Sequence, residues 1–321
     1  MGRSVATARA HANIALVKYW GKRDSANNLP AAGSLSLTLE PLTTQTRVEV
    51  AERDQVVLNG AVADAGPAAR ALGFLDLLAQ KAGREGRPPL RVVSHNQFPT
   101  GAGLASSASG FAALTVAGAA ALEIEADPKT LSEWARRGSG SAARSIFGGF
   151  VRMHREGWAE PLEGVGLELG AVVVVVDDHQ KDVGSTDGME HTRRTSPYHD
   201  AWIRQVDADL AAAEQALRDR DLQRLADITE GNTLAMHANA MAARPGLLYW
   251  RPDTLAAVDR VRELRSSGVP TFFTIDAGPH VVAFAPSEHL DRVERELRDL
   301  PGTRLIRARA GGPAERLDRT S

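Results

Sequence analysis

The sequence predicts an α+β fold of two domains. Stretches that alternate apolar and polar residues are interleaved with stretches of helical spacing, without regular strand–helix–strand alternation. Directly after five consecutive valines at 172–176 the composition turns polar over 178–188, which places a domain boundary there. A chain of 321 residues with 43% hydrophobic content can bury two ordinary cores. The expected units are therefore residues 1–178 and 179–307, with a flexible, Arg-rich tail at 308–321.

The elements follow in order. Residues 8–22 read as apolar and extended, then break into a charged loop at 22–28 closed by Leu29 and Pro30. Strict alternation predicts strands at 34–39 and 46–50, and helical spacing predicts a helix over 67–81. A strand at 90–93 feeds a glycine-rich turn that opens into a small-residue helix over 104–122. Asp127 and Pro128 supply the N-cap and first turn of another helix. A second Gly/Ser-dense loop, RGSGSAARSIFGG at 137–149, leads into 150–153, and 169–177 reads as a buried strand. Beyond the boundary come helices over 197–218, 221–242 and 253–267, then strands at 271–276 and 280–284. A helix over 288–297 and a strand at 303–307 complete the order.

Composition excludes several functions. A net charge of −2 gives no electrostatic reason to bind nucleic acid or an anionic membrane. Zero cysteines exclude disulfides and thiolate metal sites and fit a reducing compartment. Arg3, Arg9 and His11 are followed by no apolar signal segment, and the aliphatic run 171–176 is too short to span a bilayer. A cytoplasmic protein is expected. Of 38 basic residues only five are lysines, so each retained lysine marks a place where a compact point charge is wanted.

Four segments carry chemistry. The first is PTGAGLASSASG at 99–110, comprising Pro99, Gly101, Gly103, Leu104, Ala105, Ser106 and Ser107, with Asn96 just before it. Glycines permit close backbone approach, a helix N-terminus presents unpaired N–H groups, and serine hydroxyls add donors, so the loop reads as a phosphate cradle. No Gly-Lys-Ser/Thr follows, so it is not a Walker A loop. A dinucleotide fingerprint fits poorly because its third glycine falls on Ser106. The second segment, residues 12–24, places Lys18, Tyr19, Lys22 and Arg23 beside a strand end. The third sets Ser139 and Ser141 beside Arg144, a guanidinium able to grip phosphate or carboxylate in a fork. The fourth, TIDAGPH at 274–280, puts Asp276 at the end of an apolar strand. Each segment alone also reads as scaffold: a cap, a solvated charge or a turn-starting Asp. Together they describe one pocket suited to phosphoryl transfer from a nucleotide to a hydroxyl on an anionic substrate. An Asp near that hydroxyl can orient it or take its proton.

Seven stretches carry a resemblance to the mevalonate diphosphate decarboxylases of the GHMP kinase superfamily. They are NIALVKYWGKRD, NLP, PTGAGLASSASGFAAL, GSGSAARSIFGGF, KDVGSTDGM, the TSPY before Trp202, and DAGP. The resemblance implies a two-domain GHMP-kinase-like fold with its active-site cleft between the domains. It implies ATP-dependent phosphorylation of the C3 hydroxyl of mevalonate 5-diphosphate, then loss of phosphate and CO₂ to give isopentenyl diphosphate. By matching position, Asp276, Lys18 and Arg144 are the catalytic residues, Arg144 holding the substrate carboxylate. Tyr19, Lys22, Ser139, Ser141 and Ser185 contact the substrate. Asn96, Pro99, Gly101, Gly103, Leu104, Ala105, Ser106 and Ser107 serve ATP, and Ser107 joins the ATP phosphates in binding Mg²⁺. The implied partners are the small-molecule substrate and a second copy of the chain as a homodimer. The chain departs from the family pattern in Pro30-Ala-Ala-Gly-Ser, at Ala143 before Arg144, and at Gly101. Rival readings are a decarboxylase of mevalonate 5-phosphate, a kinase that stops after phosphorylation, and a non-catalytic ligand sensor.

Overall fold

The computed structural model describes residues 4–98, 104, 106–177, 182–300 and 302–317. Strand β1 (Val5–Val17) runs through the first half and stops just before Lys18. In place of a charged loop, β2 (Lys22–Asp24) and β3 (Leu29–Pro30) form a small hairpin. Asn28 turns that hairpin at φ 50°, a left-handed conformation that asparagine tolerates.

The strands expected at 34–39 and 46–50 are one continuous strand, β4 (Ser34–Val50). Pro41 reads as a break because it lacks an N–H, but here it lies in a bulge. The ladder with β1 steps from Leu39 opposite Ala12 to Thr43 opposite His11, so no β1 hydrogen bond needs Pro41.

Then come β5 (Gln55–Leu58), β6 (Ala61–Val62), α1 (Ala65–Lys81), β7 (Leu90–Asn96) and α2 (Ser106–Ala121). The small residues of α2 let it lie close to its neighbours. Ser109 Oγ meets Thr44 Oγ1 of β4 at 2.7 Å, and a Cβ on Gly118 would come within 2.5 Å of Leu75. Helix α3 (Pro128–Gly138) has the cap read from sequence, Asp127 accepting from the Thr130 N–H at 2.9 Å. A 3₁₀ turn (Gly140–Ile146) leads into β8 (Phe150–Met153), β9 (Ala159–Pro161) and β10 (Leu169–Val175).

The polar segment expected as a linker turns helical at α4 (Ser185–Thr195), which buries Met189 and Thr192. The remaining elements are α5 (His199–Asp219), α6 (Leu222–Met241), α7 (Pro252–Ser266), β11 (Phe272–Thr274), β12 (Val281–Pro286), α8 (Leu290–Arg298), β13 (Arg304–Ala310) and β14 (Glu315–Arg316).

Among the described residues one sheet orders the strands β11–β12–β10–β13–β4–β7–β5–β6, with β1 and β8 also paired to β4. Strand β10, expected to close the first domain, instead lies between β12 and β13 of the second half. Its valines suit that place, because a strand flanked on both edges and covered on both faces has no polar side. The two halves meet where β13 pairs with β4, Ala310 opposite Leu39. One core accordingly spans both, packing Ile14, Leu35 and Leu37 with Trp202, Phe272 and Phe284.

Residues 308–317, expected to fray, are anchored. Strand β13 continues to Ala310, and β14 returns to pair with β1, Ala8 opposite Arg316. Backbone bonds run from Gly311 N to Thr38 O (2.8 Å), Gly149 N to Gly311 O (3.0 Å), Ala314 N to Ile146 O (3.1 Å) and Leu317 N to Thr7 O (2.8 Å). The Arg-rich composition suggested solvation, whereas the backbone supplies the attachment. Truncation after Ala310 removes all four bonds, so stability should fall by about 2–6 kcal/mol at roughly 0.5–1.5 kcal/mol each. The urea midpoint reads this, and an unchanged midpoint would contradict it.

Candidate active site

The strand ends and helix starts described above converge on one cavity of ≈ 380 Å³. Lys18 and Tyr19 reach it from just beyond β1, and Lys22 from the start of β2. Ser106 and Ser107 come from the start of α2, Ser139, Ser141 and Arg144 from the 3₁₀ turn, Ser185 from the start of α4, and Asp276 from just beyond β11. All ten were read from the sequence as site residues. They lie up to 258 positions apart in the chain, the separation of Lys18 and Asp276.

Lys18 and Asp276 form the centre. Lys18 Nζ donates to Asp276 Oδ1 at 2.5 Å and to the Ala15 carbonyl at 3.0 Å. The Lys18 residue is 2% exposed, whereas the Asp276 side chain keeps 24% of its surface open. Burial pushes the Lys18 pKa below the usual lysine range, Asp276 opposes that, and the Arg144 charge adds to it. The two side chains form an ion pair with one face of the Asp276 carboxylate open.

Arg144 is equally buried, at 2% exposure. Its Nε donates to Asn13 Oδ1 at 3.0 Å and to Ser36 Oγ at 2.9 Å, and Nη1 donates to Ser34 Oγ. Nη2 carries no hydrogen bond among the described residues. Asn13 is in turn held, its Nδ2 donating to Ser145 Oγ at 2.8 Å and to the Ser141 carbonyl at 3.0 Å. Burial lowers the Arg144 pKa to about 10, with Asp276 and Tyr19 opposing, so the guanidinium is charged at neutral pH. A fork gripped from behind by neutral partners keeps its charge for whatever enters the cavity.

The rest of the lining is rich in donors. The Tyr19 hydroxyl is buried without a hydrogen-bond partner among the described residues, and burial pushes its pKa up, so it is a neutral donor lacking an acceptor. Lys22 Nζ donates to Asn28 Oδ1 at 2.7 Å; burial, then the charge of Arg70, pushes its pKa down. Ser139 Oγ lies 3.1 Å from Ser107 Oγ and 3.5 Å from Ser141 Oγ, joining the second loop to the start of α2. An anion with several oxygens satisfies such a lining.

Gly140 makes this lining possible. A Cβ there would stand 2.3 Å from the Tyr19 hydroxyl and 2.5 Å from Cζ, so the whole ring must move. Gly140→Ala should raise KM for an anionic substrate about tenfold or more, with a smaller change in kcat, since it displaces a binding group. Steady-state kinetics checks this; an unchanged KM would show that Tyr19 does not bind the substrate.

Two residues expected to serve the nucleotide are not among those lining this cavity. Asn96 ends β7, where its Oδ1 accepts from Thr44 Oγ1 at 2.5 Å, and it does not line the cavity. The Leu104 side chain is buried in the core shared by both halves, as an apolar group beside a turn must be. Pro99, Gly101, Gly103 and Ala105 lie outside the described residues. Sequence reasoning also missed residues. Arg70 lines the cavity from a helix read only for its spacing; it donates to the Gly138 carbonyl at 2.7 Å and lies 4.7 Å from the Phe111 ring centre. Asn28 was absorbed into a charged loop. It stands in the NLP stretch that carries the resemblance, but its contact with Lys22, invisible in one dimension, is what places it at the site.

The chain is similar to known proteins along nearly its whole length. Residues 10–160 match the diphosphomevalonate decarboxylase-like N-terminal domain, and residues 171–306 match the mevalonate 5-diphosphate decarboxylase C-terminal domain. A diphosphomevalonate decarboxylase of Candida albicans is 35% identical over 90% of this chain and 86% of its own length. A phosphomevalonate decarboxylase of Haloferax volcanii is 34% identical over 98% of both. A solved structure described as MDDEF in complex with MVAPP, AMPPCP and magnesium superposes with a TM-score of 0.91 at 38% identity, covering 99% of this chain and 100% of that one. With both halves matched in order and relatives aligned nearly end to end, this chain belongs to the diphosphomevalonate decarboxylase family.

Proposed function

We propose that the cavity phosphorylates the C3 hydroxyl of mevalonate 5-diphosphate with ATP and decarboxylates the product to isopentenyl diphosphate. The observation that carries this reading is the Lys18–Asp276 ion pair, 2.5 Å long, in one cavity with the buried fork of Arg144 and the serines at the start of α2.

Asp276 Oδ2, the oxygen not bonded to Lys18 Nζ, is the one we assign to the C3 hydroxyl. An ion-paired carboxylate is a weak base, so it orients the hydroxyl and receives its proton late, as a loose phosphoryl-transfer transition state allows. The γ-phosphoryl group moves to the C3 oxygen and ADP leaves. The C3–O bond then breaks with phosphate departing, the C1–C2 electrons form the new double bond between C2 and C3, and CO₂ is released. Arg144 holds the C1 carboxylate in line for this step, which needs positioning more than covalent catalysis. Tyr19, Lys22, Ser139, Ser141 and Ser185 hold the diphosphate end.

Ser106 and Ser107, at a helix N-terminus, suit the phosphates of ATP. No group of three or more His, Cys, Asp or Glu that could hold a metal occurs among the described residues, so Mg²⁺ fits here as an ion held by ATP phosphates with the hard hydroxyl of Ser107. Bound there, it neutralises the charge that develops between the phosphates.

The decisive experiment compares mevalonate 5-diphosphate with mevalonate 5-phosphate. ADP and CO₂ should appear in equal amounts from the diphosphate. Its kcat/KM should exceed that of the monophosphate about tenfold or more, the worth of one set of charge-assisted contacts at roughly 1.5–3 kcal/mol. Preference for the monophosphate would shift the function to that of the Haloferax relative. ADP release without CO₂ would mark a kinase. A homodimer and a cytoplasmic location belong to the same proposal; the absence of cysteine supports the second, and light scattering tests the first.

A further inference from the structure

Helix α6 buries a polar face that the chemistry above does not use. Asn232, Thr233 and His237 do not line the cavity, and all three are at most 1% exposed. Apolar side chains would pack there at no polar cost, so the polar groups need another reason. Each bonds toward the reacting pair. Asn232 Oδ1 accepts from the Lys18 backbone N–H at 2.8 Å, while its Nδ2 donates to Asp209 at 2.7 Å. Thr233 Oγ1 lies 3.0 Å from Thr274 Oγ1, and the Thr274 hydroxyl donates at 3.0 Å to the Ala15 carbonyl, which also accepts from Lys18 Nζ.

His237 works on the other partner. Its Nε2 lies 3.2 Å from the carbonyl of Ile275, the residue before Asp276. Burial and then the charge of Lys18 lower the His237 pKa to about 3, so the ring is neutral and Nε2–H is the donor to that carbonyl. Trp250, with ring centres 4.9 Å apart, and Tyr249, at 6.2 Å, fix the imidazole in place. One helix thus ties the end of β1 from the first half to the end of β11 from the second.

We infer that this face of α6 sets the register of Lys18 against Asp276, with Asn232 and His237 as positioning residues acting through backbone. The inference rests on the catalytic role proposed for that pair. A neutral imidazole and an amide suit the task because they fix backbone without adding charge beside the ion pair. Lys18 is faced by Asp276, by Arg144 and by neutral His237; loosening its contact with Asp276 leaves burial and Arg144 less opposed, so its pKa falls.

The test uses the full chain with His237→Phe, His237→Gln and Asn232→Ala. Gln places an amide N–H near the position of Nε2, so it should rescue what Phe removes. His237→Phe and Asn232→Ala should each lower kcat about tenfold or more with KM for both substrates within about twofold, and His237→Gln should stay within about threefold of the parent. A second readout needs no substrate: NMR of ¹³Cε-labelled lysine, with five lysines to assign. The Lys18 signal should titrate about half a pH unit or more lower in His237→Phe. If His237→Phe fails to fold, Asn232→Ala carries both readouts.

The inference is overturned by an unchanged kcat, by an unmoved Lys18 titration, or by equal losses in Phe and Gln variants that follow their Tm. Absence of turnover in the parent protein would instead count against the proposed function, because the lysine titration stands without it.

Discussion

Asp276→Asn should lower kcat for CO₂ release by about 10²–10⁴-fold, the usual worth of a positioned acid–base group. The amide keeps the shape of the carboxylate and still offers an oxygen to Lys18 Nζ, now 2.5 Å away, so the fold should survive. It cannot take a proton from the C3 hydroxyl. The change also strips the buried Lys18 of the counter-charge that raises its pKa, so the ammonium is lost from the site at a lower pH. Both members of the pair therefore fail together. Nucleotide affinity should be nearly unchanged, because the phosphates are assigned to Ser106 and Ser107 at the start of α2 and not to Asp276. Rapid-quench measurement of ADP and CO₂, with calorimetric titration of the nucleotide, separates the two effects. Residual CO₂ release within tenfold of the parent would remove Asp276 from the chemistry.

Arg144→Leu should cost about 10²-fold or more in decarboxylation, as for loss of a preorganised group that holds charge in the transition state. Leucine fills part of the space but abandons the acceptors behind it. Asn13 Oδ1 and the hydroxyls of Ser34 and Ser36 lose the guanidinium that joined them. Each buried group left unpaired costs about 1–3 kcal/mol, so Tm should fall as well. Arg144→Lys should not restore activity, since one ammonium cannot span Asn13 and Ser34 while presenting a fork to a carboxylate. Single-turnover assays give the rate of each step. A defect confined to ATP affinity would move Arg144 to the nucleotide side of the cavity.

These two residues were legible in the sequence because local signals mark them. Asp276 ends an apolar strand two residues before Gly278-Pro279, and Arg144 follows the hydroxyls of Ser139 and Ser141, signals that read as scaffold singly and as one pocket together. Lys18 stood out because lysine is scarce in this chain. Arg70, His237 and Asn232 gave no such signal. Each lies inside a long helix, where one polar residue per turn is what a solvated face also shows. The assignments of Asn96 and Leu104 rest on nearness in sequence to the glycine-rich turn; in the fold Asn96 meets Thr44 of β4 and the Leu104 side chain packs in the core.

Residue spacing by itself determined the mixed α+β class and most of the helices and strands, while the chemistry of four segments and the family resemblance picked out the polar groups around one cavity. Periodicity encodes the type of an element and the face it buries, and both are local properties. Only the tertiary structure decided that β10 enters the second half's strand order, that β4 runs unbroken past Pro41, and that residues 308–317 return to the first half. It also decided that α6 bonds to the backbone of Lys18 and to that of Ile275, the residue before Asp276. Those outcomes depend on which buried faces meet. That is settled by packing and by backbone partners far away in the chain, about which local spacing carries no information.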